Sequence, residues 1–318
     1  MNKIPIADLL TKFPQYTHLE EIAEGGYKTV YRATMQPGVE ALKVVSIPDG
    51  SQSDDHQLFR DECIGRVRRE VSILEKCSSP YMVKTASLEL EPITHNGQDF
   101  VVYSEEFLEG SDLWSLVRAN ATPPSENEVK QLFTCLLECI KELWSMKVIH
   151  RDIKPCNVIR LPDLDRPFVL IDLGIAFALQ DVALTFNATN RNQDFVMNIS
   201  CFHVALTFNA TNRNPMATFR YIAPEQCDTR NRANLDYRAD LYSAALTLFE
   251  YATGEHPIAR NSDDAIQTVT RALMEPPKKL IDLRPDFSAE FCKLINQLLN
   301  KRPALRPANL NALINQMT

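Results

Sequence analysis

The sequence predicts an α+β fold with two parts, a strand-rich first part and a larger helical second part. Short β-rich runs dominate residues 17–107, and runs with helical periodicity dominate residues 108–318. The chain has 318 residues, of which 45% are hydrophobic, so each part is long enough to bury a core. We expect the boundary near Phe107–Gly110 and assign residues 1–16 to an N-terminal extension.

The first part contains two β-rich runs joined by a turn. Val30–Ala33 and Ala41–Val45 are mainly apolar, and Gln36-Pro37-Gly38 between them is typical of a turn. A helix is predicted around Leu58–Cys77, and a further strand is predicted near Phe100–Tyr103. These runs predict a small, mainly β unit that includes one helix.

The second part contains a long amphipathic helix with a recognisable start. Ser125-Glu126-Asn127-Glu128 has the pattern of a capping box, and a helix is predicted to follow over Val129–Met146. A more apolar helix is predicted over Tyr237–Ala252 and ends at Gly254, because glycine tolerates the left-handed backbone that follows many helices. Two further helices are predicted at Ala289–Leu299 and Leu310–Met317.

The composition argues against several functions and locations. The net charge is −7 and the pI is about 5.5, so nucleic-acid binding is not expected. The N-terminus lacks the apolar core of a secretory signal, and no run approaches the roughly 18 apolar residues that span a bilayer. The eight cysteines include no C-x-x-C pair. We therefore expect a cytoplasmic protein with no disulfide framework and no membrane contact.

Residues 150–157, His-Arg-Asp-Ile-Lys-Pro-Cys-Asn, bring together groups that phosphoryl transfer needs. Asp152 can accept the proton of an attacking hydroxyl, Lys154 supplies a cation, and Asn157 supplies an oxygen ligand for Mg²⁺. Further along, Asp172 follows the apolar run Val169–Ile171 and supplies a second metal-binding carboxylate. Either aspartate alone could simply occupy a turn, but the combination favours catalysis.

With these motifs the chain resembles a Ser/Thr protein kinase of the eukaryotic (Hanks) type, which also occurs in bacteria. The likeness runs from about His18 to the C-terminus, and its motifs occur in the required order. It implies a bilobal protein-kinase-like fold, with a small β-rich N-lobe and a larger helical C-lobe, that uses ATP and Mg²⁺. The implied catalytic residues are Asp152, Lys154 and Thr218, and the implied metal ligands are Asn157 and Asp172.

The resemblance also assigns residues to the nucleotide. Lys43 is expected to contact the α- and β-phosphates and to pair with Glu70, with Glu62 as a less favoured partner. The implied nucleotide-binding set is Ile22, Ala23, Gly25, Val30, Ala41, Lys43, Glu70 and Glu106.

The glycine-rich loop departs from the family pattern. Gly25 keeps the middle glycine, where the backbone must approach phosphate most closely, but Ala23 and Lys28 replace the first and third glycines. Lys28 either adds a phosphate contact or narrows the loop and slows transfer. Glu105 stands where the family usually has an apolar residue, so we expect a partner, a shifted register or exposure for this carboxylate.

The resemblance implies two structural contacts in the helical part. Glu225, at the end of Ala223-Pro224-Glu225, is expected to pair with Arg306. Asp240, near the start of the apolar helix, is expected to brace the loop that contains Asp152.

A duplicated unit lengthens the segment between Asp172 and Glu225. The eleven residues Val182–Asn192 recur unchanged at Val204–Asn214, a period of 22. Subtracting one period from the 53 positions leaves 31, a length typical of the activation segment in this family. We therefore interpret residues 172–225 as an enlarged activation segment, in which a phosphate added by autophosphorylation could pair with Arg151.

The leading hypothesis is a protein Ser/Thr kinase that transfers the γ-phosphate of ATP to protein hydroxyls. One alternative is a pseudokinase or nucleotide-binding regulatory module, which the altered glycine loop favours. Another is a small-molecule phosphotransferase with the same fold. Thr218 and Ala223-Pro224-Glu225 favour protein substrates over small molecules.

Overall fold

The computed structural model describes residues 3–25, 28–47, 56–119, 122–173, 177–178, 220–227 and 235–317. These residues form two compact units. The first contains the chain up to Cys77 together with Val83–Leu108, and the second contains Ser78–Met82 and the described residues from Glu109 onward.

The first unit is built on a five-stranded antiparallel sheet. Its strands are β1 (Tyr16–Glu24), β2 (Lys28–Met35), β3 (Gly38–Ser46), β4 (Glu91–His95) and β5 (Gln98–Glu106). Their order across the sheet is β1-β2-β3-β5-β4. The predicted turn joins β2 to β3, and Gly38 has a φ of 121°, which side chains with a Cβ rarely adopt.

Each face of this sheet is covered by one helix. Helix α1 (Ile6–Lys12) covers one face, and its Leu9 packs with Phe13 into a core that includes alternate residues of the strands, such as Tyr31 and Leu42. Helix α2 (His56–Lys76) covers the opposite face and packs against the intervening strand residues. The N-terminal extension is therefore part of the core of this unit.

The second unit is mainly helical. Its helices are α3 (Leu113–Arg118), α4 (Glu126–Ser145), α5 (Arg238–Thr253), α6 (Ala265–Met274), α7 (Leu280–Leu283), α8 (Ala289–Leu298) and α9 (Leu310–Met317). The hydroxyl of Ser125 accepts a hydrogen bond from the Glu128 N–H and caps α4, as the sequence predicted. Helix α5 is buried along almost its whole length and ends at Gly254, whose φ is 74°. The two units together confirm the predicted α+β class.

Short strands in the helical unit hold its loops in place. Strands β6 (Ser111–Asp112), β8 (Val158–Arg160) and β9 (Phe168–Leu170) form one sheet, and β7 (Val148–Ile149) pairs with β10 (Phe177–Ala178). Gly110 immediately precedes β6, and a Cβ atom at this position would overlap the carbonyl oxygen of Arg160. This position therefore needs glycine. Among the described residues, no helix combines the length and apolar character needed to cross a bilayer.

A buried ion pair fastens the segment Pro224–Cys227 to the end of the chain. Both guanidinium nitrogens of Arg306 bind the Glu225 carboxylate, at 2.5 and 2.9 Å, which confirms the predicted pair. Arg306 also donates to the carbonyl oxygens of Arg238 and Asn300, each at 2.8 Å. These hydrogen bonds all go to carboxylate or carbonyl oxygens inside the unit, and the guanidinium also lies 4.7 Å from the centre of the Tyr242 ring.

A buried histidine organises the turn after α5. The Nδ1 atom of His256 accepts hydrogen bonds from the backbone N–H groups of Ile258 and Ala259, at 3.1 and 2.8 Å. Its ring lies edge-on to Tyr221, with 5.4 Å between the ring centroids. Burial, helped by the nearby charge of Arg220, lowers the pKa of His256 from 6.5 to about 3.

We predict that replacing Arg306 with methionine lowers the free energy of unfolding by about 3 kcal/mol, because Glu225 is then left without its buried partner. Chemical denaturation with circular dichroism measures this change. Arg302→Met is the matched control, since Arg302 is an exposed arginine of the same loop and its loss should change stability by less than about 0.5 kcal/mol. Equal effects of the two substitutions would contradict the prediction.

We also predict that acid destabilises the protein through His256. The native histidine stays neutral down to a pH near 3, whereas the unfolded one binds a proton below 6.5, so stability falls as the pH drops through this range. The slope for one such group is about 1.4 kcal/mol per pH unit. His256→Asn keeps an acceptor in place of Nδ1 and should flatten the stability profile between pH 6 and pH 4. His18→Asn, at an exposed position of β1, should leave the slope as it is.

Candidate active site

The catalytic-loop candidates Asp152, Lys154 and Asn157 form one buried hydrogen-bonded group. The ammonium of Lys154 lies 2.7 Å from Oδ2 of Asp152. The side-chain amide of Asn157 donates to the same oxygen and to the backbone carbonyl of Asp152, each at 2.9 Å. The loop runs from β7 to a 3₁₀ turn, Pro155–Asn157, which β8 follows directly. The short strands on both sides therefore fix these three side chains relative to one another.

Asp172 lies beside this group because β9 pairs with β8. The carbonyl oxygen of Asn157 accepts a hydrogen bond of 2.8 Å from the Ile171 N–H, one residue before Asp172. Asp172 is buried and has a φ of 69°, in the left-handed region that non-glycine residues seldom occupy. Its charge acts on both Asp152 and Lys154.

The electrostatics of the group suit proton transfer. Burial raises the pKa of Asp152, and Asp172 adds to the rise, while Lys154 and Asn157 oppose it. Burial alone would lower the pKa of Lys154, but the carboxylate of Asp152 reverses this effect and raises it. Lys154 therefore stays protonated, and Asp152 is a stronger base than an exposed aspartate.

A buried carboxylate on α5 supports the loop from behind. Asp240 accepts hydrogen bonds from the backbone N–H groups of His150 and Arg151, both at 2.8 Å, which confirms its predicted bracing role. Burial raises the pKa of Asp240 to about 6, although the two N–H donors oppose the rise. His150 is itself buried, and its Nδ1 accepts from the Asp152 N–H at 3.2 Å.

The side chains of Asn157 and Asp172 are suited to bind a hard cation. An amide oxygen and a carboxylate are ligands that Mg²⁺ prefers, and phosphate oxygens of a nucleotide could complete the coordination. The Asn157 amide nitrogen points to Asp152, so the oxygen of the same amide is the atom left to act as a ligand. Within the described part of the chain, no group of three or more His, Cys, Asp or Glu side chains forms a metal-binding cluster by itself.

In the sheet unit, Lys43 forms a buried ion pair with Glu105. Lys43 on β3 and Glu105 on β5 are only 4% and 2% exposed, and their charged atoms are in direct contact. Glu105 thus has the partner that its burial required. Glu70 on α2, the partner expected for Lys43, accepts a hydrogen bond of 3.2 Å from the hydroxyl of Tyr103. The Lys43 ammonium lies 5.6 Å from the centre of the Tyr103 ring.

Strand register places several of the expected nucleotide-binding residues on one face of the sheet. Val30 on β2 is opposite Lys43, and Ala41 is opposite Glu105. Ile22 and Ala23 lie near the end of β1, and the Gly25 N–H donates to the Lys28 carbonyl oxygen at 2.7 Å. Glu106 uses its backbone N–H and its carboxylate to bind the backbone of Lys84. Thr218 lies outside the described residues.

Sequence reasoning missed the contact between Tyr221 and Glu250. The hydroxyl of Tyr221 donates to the Glu250 carboxylate within the helical unit, and the Arg220 guanidinium lies 3.7 Å from the same carboxylate. Both partners are buried, and burial raises the pKa of Glu250. A glutamate within the mainly apolar second half of α5 was the available signal, since a buried carboxylate requires a partner.

Comparison with known proteins identifies the family of this chain. The sequence model of the family described as 'Protein kinase domain' matches residues 16–317 of this chain. Serine/threonine-protein kinase pkn3 of Myxococcus xanthus is 28% identical over 92% of this chain and 47% of its own length. Serine/threonine-protein kinase 10 of Danio rerio is 25% identical over 96% of this chain and 28% of its own length. The chain thus spans half or less of these relatives.

Solved structures of similar fold include two kinases. The kinase domain of Mycobacterium tuberculosis PknI, solved as a point mutant, aligns over 95% of this chain and 94% of its own, with a TM-score of 0.60 and 20% identity. Rad53 (1–466) in complex with AMP-PNP aligns over 96% of this chain and 65% of its own, with a TM-score of 0.63 and 21% identity. The family match covers nearly the whole chain, and the chain therefore belongs to the protein kinase domain family.

Proposed function

We propose that this chain is an ATP- and Mg²⁺-dependent kinase that phosphorylates serine and threonine hydroxyls of proteins. The observation that carries the proposal is the buried group of Asp152, Lys154 and Asn157 with Asp172 beside it. A general base, a fixed cation and two oxygen ligands are the parts that phosphoryl transfer requires. The names of the curated relatives support the choice of a Ser/Thr kinase.

The proposed reaction assigns one role to each group. Asp152 accepts the proton of the substrate hydroxyl as the oxygen attacks the γ-phosphorus, and the bond to the β-phosphate oxygen breaks to leave ADP. Lys154 neutralises charge on the transferred group and holds Asp152 in place. Asn157 and Asp172 would bind Mg²⁺, which neutralises charge on the phosphates when it is bound.

The other residues divide between nucleotide and substrate in this proposal. Residues 17–107 supply the adenine and phosphate contacts, including Lys43, and residues 108–318 supply the transfer groups. Residues 172–225 act as an activation segment. Its Thr218 is assigned the role of hydrogen-bonding Asp152 and Lys154, and autophosphorylation of the segment regulates activity because the added phosphate pairs with Arg151. The cysteine pattern supports a cytoplasmic setting.

We predict that Asp152→Asn lowers the rate of phosphate transfer by about 10²- to 10⁴-fold, because asparagine cannot accept the hydroxyl proton. Transfer from radiolabelled ATP to a basic protein such as myelin basic protein or histone measures this rate. Asp163→Asn, an exposed aspartate of the same unit, is the control and should match the wild type. A wild-type signal no higher than that of Asp152→Asn would indicate a pseudokinase.

We further predict that Asp172→Asn abolishes the effect of Mg²⁺ on nucleotide binding while the fold is kept. ADP should raise the unfolding temperature of the wild type more in the presence of Mg²⁺ than in its absence, because the metal joins carboxylate to phosphate. In the variant the two shifts should be equal. Asp165→Asn, an exposed control, should retain the difference. If Asp172→Asn also retained it, Asp172 would have no part in metal binding.

A further inference from the structure

Lys301, in the loop after α8, joins the end of helix α6 to helix α5. Its Nζ atom donates hydrogen bonds to the carbonyl oxygen of Ala272 at 2.7 Å and to the hydroxyl oxygen of Tyr242 at 3.2 Å. Ala272 lies in the last turn of α6, where the carbonyl oxygens have no partner within the helix. Tyr242 is buried in α5. The amine is therefore held between two helices by two uncharged acceptors.

This lysine lacks the counter-charge that other lysines of the chain have. Lys154 binds Asp152 in the same unit, but among the residues that the structure describes no carboxylate forms an ion pair with Lys301. Glu275, just after the end of α6, pairs instead with two arginines, Arg260 and Arg271. The positive form of Lys301 is thus less stabilised than that of a paired lysine.

A second cation lies close to the same aromatic ring. The guanidinium of Arg306 lies 4.7 Å from the centre of the Tyr242 ring, and the Nζ atom of Lys301 lies 5.8 Å from it. Burial lowers the pKa of Lys301 from 10.5 to about 8, and the charge of Arg306 adds to the decrease, whereas Glu275 and Cys227 oppose it. At pH 7, about one molecule in ten therefore carries the uncharged amine, against fewer than about one in a thousand for an ordinary lysine.

The uncharged amine is well placed to act as a nucleophile. It has two N–H groups and one lone pair, and the oxygens of Ala272 and Tyr242 accept from the two N–H groups. The lone pair is then directed away from both acceptors. Lys301 is only partly buried, so small solutes can reach it. Desolvation and a neighbouring cation are the conditions under which lysine becomes nucleophilic near neutral pH.

We propose that Lys301 is an acylation site of this chain and reacts with small activated acyl groups, such as those of acyl phosphates and thioesters. Its lone pair attacks the acyl carbon, and a C–N bond forms. The bond from that carbon to the phosphate oxygen or thiolate sulfur breaks, the leaving group takes the electron pair, and the nitrogen releases a proton to water. The reaction does not require kinase activity.

Acylation would change how helix α6 is held. The amide nitrogen of the product keeps one N–H, so it can donate to Ala272 or to Tyr242 but not to both. The modified chain would therefore lose one of the two hydrogen bonds that join the end of α6 to α5 through this loop.

The test measures acylation rates lysine by lysine on the full folded chain. The protein is incubated with a limiting amount of acetyl phosphate near neutral pH. It is then denatured, its remaining amines are labelled with deuterated acetic anhydride, and peptide mass spectrometry gives the extent of reaction at each lysine. Lys301 should react about tenfold faster than Lys279 and Lys293, two exposed lysines of the same unit, because its uncharged fraction is larger.

Two further measurements check that the folded environment causes this preference. In concentrated urea Lys301 should react no faster than the two control lysines. In the folded chain its rate constant should be half-maximal near pH 8 and level at higher pH. A preference that persists in urea, or a rate constant that rises steadily to about pH 10, would contradict the assignment.

A parallel incubation with acetyl coenzyme A distinguishes the two classes of acyl donor. Preferential labelling of Lys301 by either reagent supports the proposal and identifies the donor class that reaches the site. Equal rates at Lys301, Lys279 and Lys293 with both reagents would show that Lys301 is an ordinary surface lysine, and the proposal would be wrong.

Discussion

The candidate active site depends on one buried carboxylate that does not take part in the chemistry. Asp240, on the central helix α5, binds two consecutive backbone N–H groups of the loop that contains Asp152. One of them belongs to Arg151, whose φ is 67°, so the carboxylate stabilises a backbone conformation that is unfavourable by itself. The position of Asp152 follows directly, because it is the next residue along the chain. A helix buried on all sides gives this anchor its rigidity.

Each unit contains an ion pair that joins two elements and is largely shielded from solvent. Arg306 joins Glu225 to the last loops of the helical unit, and Lys43 joins Glu105 across two strands of the sheet. Such pairs add little net stability compared with apolar packing, but they allow few alternative arrangements. They therefore contribute more to the fixed geometry of the segments that they join than to the stability of the fold.

The sequence predicted the long elements well because their signals are local. Helix α4 follows its cap at Ser125, and α5 ends at Gly254, as the pattern indicated. Helix α1 was missed because seven residues show too little periodicity. Helix α6 was also missed, although Asp264 and Gln267 form a capping box that the sequence displays.

The contacts among Asp152, Lys154 and Asn157 could be predicted for the same reason, since the three residues lie within six positions of the sequence. The contact between Lys43 and Glu105 could not, because it joins residues 62 positions apart and depends on the exact register of β3 and β5. The sequence could predict only that a carboxylate in a buried strand needs a partner. Which residue is the partner becomes clear only from the folded sheet.

Helix α1 extends the folded unit beyond the N-terminal limit of the family match. The family match begins at residue 16, yet Ile4, Leu9 and Phe13 are buried in the core on the α1 side of the sheet. Lys3 and Lys12 add ion pairs to Glu24 and Glu91. A chain that began at residue 16 would lack these three side chains and would expose the apolar residues that they cover to solvent. Exposed apolar patches of this kind promote self-association. In this chain, residues 3–15 are therefore a structural part of the sheet unit.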